Sequence, residues 1–182
     1  MSEMSITDMS LCTPAEAAQI LYPIVRSIVM ASIVPAAKAR DPQRTGGWFT
    51  FWRMHTAFGT ATPVIGFPVG EVSTERFMKY MHFANEKAMR LDMNRSHVSS
   101  WQSRDPSDPD PLKRKWGGAI HIPVSSIFSF SGFSEHEDEM ICAEAGRQLG
   151  ILKLERLRLI INASDNDPLR SYMERIQAQY SH

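Results

Sequence analysis

Six histidines, His55, His82, His97, His121, His136 and His182, are the residues of this chain most suited to coordination chemistry. Neutral imidazole ligates transition metals and haem iron. His121 follows a glycine pair in Gly117-Gly118-Ala119-Ile120-His121. A strand without side chains at two positions would let a planar ligand approach the backbone beside that imidazole. His121 also reads as a polar side chain on the outer face of a sheet. His97 lies in Asn94-Arg95-Ser96-His97-Val98-Ser99-Ser100-Trp101. This segment suits an aromatic or tetrapyrrole edge, with Arg95 placed to pair with a carboxylate. Alternatively it is a helix-ending loop whose hydroxyls satisfy free carbonyls.

Glu135-His136-Glu137-Asp138-Glu139 invites a metal reading, since His136 and Glu139 stand three apart on a helix. The spacing fits no zinc pattern, and acidic residues in a first helical turn are explained by the helix dipole. Ser131 is flanked as Phe130-Ser131-Gly132-Phe133, which is not a Gly-x-Ser-x-Gly elbow. No P-loop or dinucleotide fingerprint occurs. The two cysteines, Cys12 and Cys142, form no metal or redox spacing. A hydrolase or a nucleotide enzyme therefore has no positive support, and no catalytic residue is assigned.

The elements that must position these groups are legible in outline. Thr13-Pro14-Ala15-Glu16 starts a helix that runs to about Ala39, bent at Pro23 and Pro35. Trp48–Arg53 and Thr62–Phe67 pair as strands across a turn at Gly59–Pro63. Ser73 or Thr74 caps a helix to about Leu91, with Phe77, Met81, Ala84, Ala88 and Leu91 on its apolar face. Asp105–Pro111 is an exposed proline-rich loop. Strands at Gly118–Val124 and Ile127–Ser131 lead into a helix that opens with the capping box Ser134-Glu135-His136-Glu137 and stops at Gly150. Leu152–Asn162 is ambiguous between helix and strand, and Asp167-Pro168 starts a last helix. The aromatics Trp48, Phe49, Phe51, Trp52, Phe128, Phe130 and Phe133 read as sheet core, a surface that could also floor an apolar cleft.

A chain of 182 residues, 43% apolar and 22% charged, is long enough to bury a core. Lys plus Arg and Asp plus Glu balance at 20 each, which gives no field for nucleic acid or an anionic membrane. Ala17–Ala37 is almost continuously apolar and near spanning length. Arg26, Gln19 and two prolines count against a transmembrane span and favour a buried helix, either in the core or at a subunit interface. The start lacks a basic signal region, so a cytoplasmic location is expected.

The Gly117-Gly118 pair, the apolar strand ending in Ser131-Gly132, and Asp138 six residues beyond Gly132 together resemble the GlcG/HbpS-like family. Phe83-Ala84-Asn85-Glu86-Lys87-Ala88 is similar to the family's helix with Ala and then Lys-Ala, and Ser99-Ser100 matches a pair in an uncharacterised branch. The likeness spans about Ser73 to Gly150. It implies a profilin-like α+β fold, a central antiparallel sheet with helices packed on it, here with a C-terminal helical extension. It also implies that Asp138 binds backbone amides around the Ser131-Gly132 turn. His121 departs from the family pattern, standing where the compared branch carries proline. The expected organisation is a leader at 1–12, the domain at 13–150, and an extension at 151–182 packed on that domain or on a neighbouring subunit. The implied function is reversible binding of a small molecule, haem or a related tetrapyrrole, in an accessory or sensing role, with His121, His97, Arg95, Gly117 and Gly118 at the ligand and Ser131, Gly132, Asp138 and Lys87 as structural motif. The alternatives are a homo-oligomeric interaction module and an enzyme acting on a small metabolite.

Overall fold

Two β-hairpins rich in aromatic and β-branched residues build the centre of the molecule. The computed structural model describes residues 12–55, 59–123 and 126–180. Strands β1 (Gly46–His55) and β2 (Thr60–Gly70) form a hairpin, and β3 (Ala119–Ile122) and β4 (Ser126–Ser131) form a second. β4 pairs antiparallel with β1, which gives one four-stranded antiparallel sheet in the order β2-β1-β4-β3. The fold is α+β. Pro63 and Pro68 are tolerated in β2 because it lies at the sheet edge, where a missing amide donor costs no ladder bond. The strands exceed their expected lengths at several ends. Val124, expected in the third strand, lies outside the described residues.

Because side chains alternate across a strand, Phe49, Phe51, Phe128 and Phe130 share one face; Phe128 meets Phe49 and Phe51 edge-on, with ring centroids 5.4 Å and 5.6 Å away, and Phe130 stacks on Phe133. That face is covered by helix α1 (Pro14–Ile28) and by α4 (Glu135–Gln148). Tyr22 of α1 meets Phe67 of β2, which stacks on Phe49. The opposite face receives α3 (Thr74–Met93): Phe77 packs edge-on against Trp48, and Ser129 Oγ donates to the Ala84 carbonyl at 2.7 Å.

The first helix does not break at Pro23. A π-helical turn, Val29–Ile33, interrupts it and leads into α2 (Val34–Arg40). Pro35 explains this, since its ring clashes with the carbonyl four residues earlier and it has no amide to offer. The Thr13–Glu16 and Ser134–Glu137 capping boxes both form. Among the described residues one helical stretch, Pro14–Arg40, is long and apolar enough to cross a membrane; Ala17, Leu21, Val25 and Ile28 of it are buried against the sheet and α4.

Leu152–Asn162 resolves as helix: α5 spans Leu154–Ser164 and buries Leu157, Ile160 and Ile161. Helix α6 (Asp167–Tyr180) packs on α4 through the core containing Leu169 and Met173. The C-terminal helices thus share the core of their own chain. Every residue of α4 from Glu137 to Gly146 is buried, so this helix is enclosed on all sides.

Candidate functional site

Two consecutive turns of sequence, Ser131–Ser134 and the start of α4, meet the middle of α3 at a cleft of about 680 Å³. A volume of this size is usual for small-molecule sites. Arg40 and Arg44, from α2 and the turn after it, form one wall; Arg76, Lys79, Tyr80 and Phe83 of α3 form another; Trp116 and Phe133 close the sides. The floor is the ion pair of Lys87 and Asp138.

Helical spacing places Lys87 one turn beyond Phe83 on the sheet-facing side of α3, where its stem is enclosed and only 1% of the residue is exposed. Its ammonium donates to Asp138 Oδ2 at 2.8 Å and to the Phe130 carbonyl at 2.9 Å. Asp138 Oδ1 accepts the Phe133 amide at 3.0 Å, which fixes the Ser131–Ser134 corner to α4. Burial pushes the Asp138 carboxyl up to about 6, against the opposing pull of the Lys87 charge. Glu137 behaves differently: burial raises it, but bonds from Ser134 and Arg40 outweigh burial and hold it below the ordinary value.

Gly117 and Gly118 do not open a path for a planar ligand. A Cβ on Gly118 would sit 2.6 Å from Asp138 Cβ and 2.9 Å from Lys87 Nζ, and Gly118 has φ +114. A Cβ on Gly117 would meet the Trp101 ring at 2.7 Å. Both glycines make room for side chains of this chain rather than for a ligand.

His121 points toward α3, not to an outer surface. Its Nε2 lies 3.1 Å from the Leu91 carbonyl near the end of α3, so that nitrogen carries the proton and donates. Burial lowers its pKa, which keeps the ring neutral. The His121 amide donates to the Val98 carbonyl, so the segment carrying His97 runs beside β3. His97 is half-buried, and its Nδ1 has no hydrogen-bond partner among the described residues. Arg95 reaches Asp92 at 3.4 Å. The structure therefore brings His121, His97 and Arg95 to the far end of α3. None of the three lines the cleft, and among the described residues no histidine does. Imidazole-ligated haem does not fit the cleft. His55 belongs to β1 and His82 bonds the Leu112 carbonyl, whereas His182 lies outside the described residues.

Ser99 and Ser100 serve the scaffold. Ser99 Oγ donates to Glu139 Oε2 at 3.2 Å, and Ser100 Oγ accepts the Ala119 amide at 3.0 Å. Glu139 is fully buried between the hydroxyls of Ser99 and Ser164, and burial pushes its carboxyl up to about 8. His136 and Glu139 do not share a metal: His136 stacks on Trp101 with centroids 4.4 Å apart, and its Nε2 bonds the Ser164 carbonyl. Among the described residues no cluster of His, Cys, Asp and Glu could hold a metal ion.

Sequence reasoning missed Arg40, Arg44, Arg76, Lys79, Tyr80 and Trp116. Only the third- and fourth-residue spacing of Arg76, Lys79, Tyr80, Phe83 and Lys87 carried a signal, since it places them on one helical side. Comparison with family models, curated proteins and solved structures finds no match to this chain.

Proposed function

We propose that this protein binds a small molecule reversibly in the cleft between α3 and the start of α4. The carrying observation is the cleft itself: an enclosed floor made by the Lys87–Asp138 pair, beneath aromatic walls and a cationic rim. Aromatic sides bury the body of a ligand, and a few fixed polar groups orient it. Among the described residues the side chains of Lys87 and Asp138 bond each other, the Phe130 carbonyl and the Phe133 amide, an arrangement suited to holding a ligand. Cys12 and Cys142 form no disulfide with each other, in keeping with a reducing compartment such as the cytoplasm.

Haem, the ligand that the GlcG/HbpS resemblance implies, is tested by an absorbance titration with haemin on the wild type, Tyr80→Ala, His97→Ala and His121→Ala. Saturable one-to-one binding lost only in Tyr80→Ala supports capture in the cleft without imidazole ligation. Loss in either histidine variant moves the ligand to the far end of α3 and overturns the cleft as its site. A non-saturating change in all four proteins rejects haem as the ligand.

A second reading, an oligomeric interaction module, is favoured by one observation. Tyr22 and Met30 stand 43% and 40% exposed on the outer side of the first helical stretch, around a surface depression that Pro23 and Ala31 also line. Sedimentation equilibrium of the wild type and of Tyr22→Glu tests it; a monomer at all concentrations rejects this reading.

A further inference from the structure

The charges around the cleft do not cancel evenly, and the remainder identifies the chemistry of its occupant. Each carboxylate in its lining already has a cation: Asp138 has Lys87, Glu137 has Arg40, Asp41 has Arg44, and Glu135 has Arg104. Two lining cations are left over. Arg76 donates to the carbonyl and side-chain oxygens of Gln43, both neutral, and Lys79 forms no ion pair among the described residues. They stand one turn apart on α3, so both head groups reach the same part of the rim.

The floor supplies a second handle. An ammonium has three hydrogens. Lys87 uses two, on Asp138 and on the Phe130 carbonyl, and the third has no acceptor among the described residues. Lys87 and Lys79 are eight residues apart on one helix, about 12 Å along its axis. Tyr80 and Phe83 lie between them on the helix, and Trp116 lines the same cleft.

We infer that the ligand is an elongated, unsaturated small molecule with a carboxylate or phosphate at one end and a neutral acceptor oxygen at the other. The oxyanion is held at the rim by Arg76 and Lys79, the flat body lies between the rings, and the acceptor takes the third hydrogen of Lys87. This rests on the cleft being a ligand site, as proposed above. Charge-assisted bonds at the rim are worth more than neutral ones, so the oxyanion dominates the discrimination.

The test uses three probes of similar shape in ligand-observed NMR titrations: para-acetylbenzoate, which carries both groups; para-ethylbenzoate, which lacks the acceptor; and acetophenone, which lacks the anion. Inorganic phosphate serves as competitor. The expected order places para-acetylbenzoate first and acetophenone about tenfold weaker. Phosphate should displace para-ethylbenzoate but not acetophenone. In the Arg76→Gln/Lys79→Gln double variant, whose changes fall on α3 away from the core, the difference between para-acetylbenzoate and acetophenone should vanish. Equal binding of all three probes by the wild type, or an unchanged order in the double variant, overturns the oxyanion assignment while leaving a ligand cleft in place. Binding of none of the three, at any concentration up to their solubility, overturns both the assignment and the cleft. Because Lys87 variants risk unfolding, its role is read from its own ζ-nitrogen resonance in the wild type: para-acetylbenzoate should shift it and para-ethylbenzoate should not. A shift equal with both probes removes Lys87 from the assignment.

Discussion

Lys87 Nζ and Asp138 Oδ2 stand 2.8 Å apart, closing an ion pair between α3 and α4 directly above Gly118. The pair joins the helix on one side of the sheet to the helix on the other at the sheet's end. A buried pair of this kind adds little net stability over an apolar substitute, yet losing one partner leaves a charge stranded. Lys87→Met should therefore destabilise the fold by about 3–5 kcal/mol. Lys87→Met/Asp138→Asn should recover part of that loss, since the stranded carboxylate is gone. Chemical denaturation of the two variants decides the matter; equal stability of single and double variants would contradict the pairing.

Gly118→Ala should be costly for two separate reasons. The new methyl would lie 2.6 Å from Asp138 Cβ, and the residue would be held at φ +114. Overpacking of this sort costs about 1–3 kcal/mol before any backbone strain is added. The thermal midpoint should fall accordingly, and Gly150→Ala offers a control with positive φ but open space around it. If the two variants lose the same stability, crowding against Asp138 contributes nothing.

Glu139 gives the fold a pH dependence of definite sign. The unfolded carboxyl titrates near the ordinary 4.5, whereas the folded one titrates at about 8. Between those values the folded state keeps a proton that the unfolded state has released. This group's contribution to stability therefore falls as pH rises from about 4.5 to about 8 and is flat outside that window. Glu139→Gln supplies a neutral side chain of the same shape to Ser99 and Ser164. The variant should be more stable than the wild type at the alkaline end, and its stability curve should lose the corresponding slope. An identical slope in both proteins would place the titration elsewhere.

Ser134→Ala removes the hydroxyl that caps α4 through the Glu137 amide and that bonds the Glu137 carboxylate at 2.7 Å. Loss of such a cap costs about 0.5–2 kcal/mol. Ser134→Thr should retain most of the stability, because threonine keeps a hydroxyl that accepts the Glu137 amide and donates to its carboxylate. Urea midpoints of the three proteins give the comparison.

What could be read from the residues was what they determine locally. Ser134 and Glu137 specify a helix start by their spacing alone, and the high β-propensity of Trp48 to Trp52 specifies a strand. The α+β architecture followed from the order of such signals. Leu152–Asn162 stayed ambiguous because its apolar run is short; only burial of Leu157, Ile160 and Ile161 against the core selects helix. The cleft was hidden for a different reason. Its walls come from Arg40, from Arg76 to Lys87, from Trp116 and from Ser131 to Asp138, and no local pattern links these segments. Histidines attracted attention by chemical type, but His121 is spent on the Leu91 carbonyl, a contact 30 residues away in sequence.

The π-helical turn at Val29–Ile33 also sets the phase of the whole N-terminal rod. Ala17, Leu21, Val25, Val29, Ile33 and Ala37 are all buried and recur at every fourth residue. On a regular α-helix a four-residue step overshoots a full turn by about 40°, so such a row would wind away from the sheet. The wider turn takes in more residues per revolution and rotates the row back, as a leap day realigns a calendar. Removal of one residue from that turn would leave a smoother helix whose two halves face different directions.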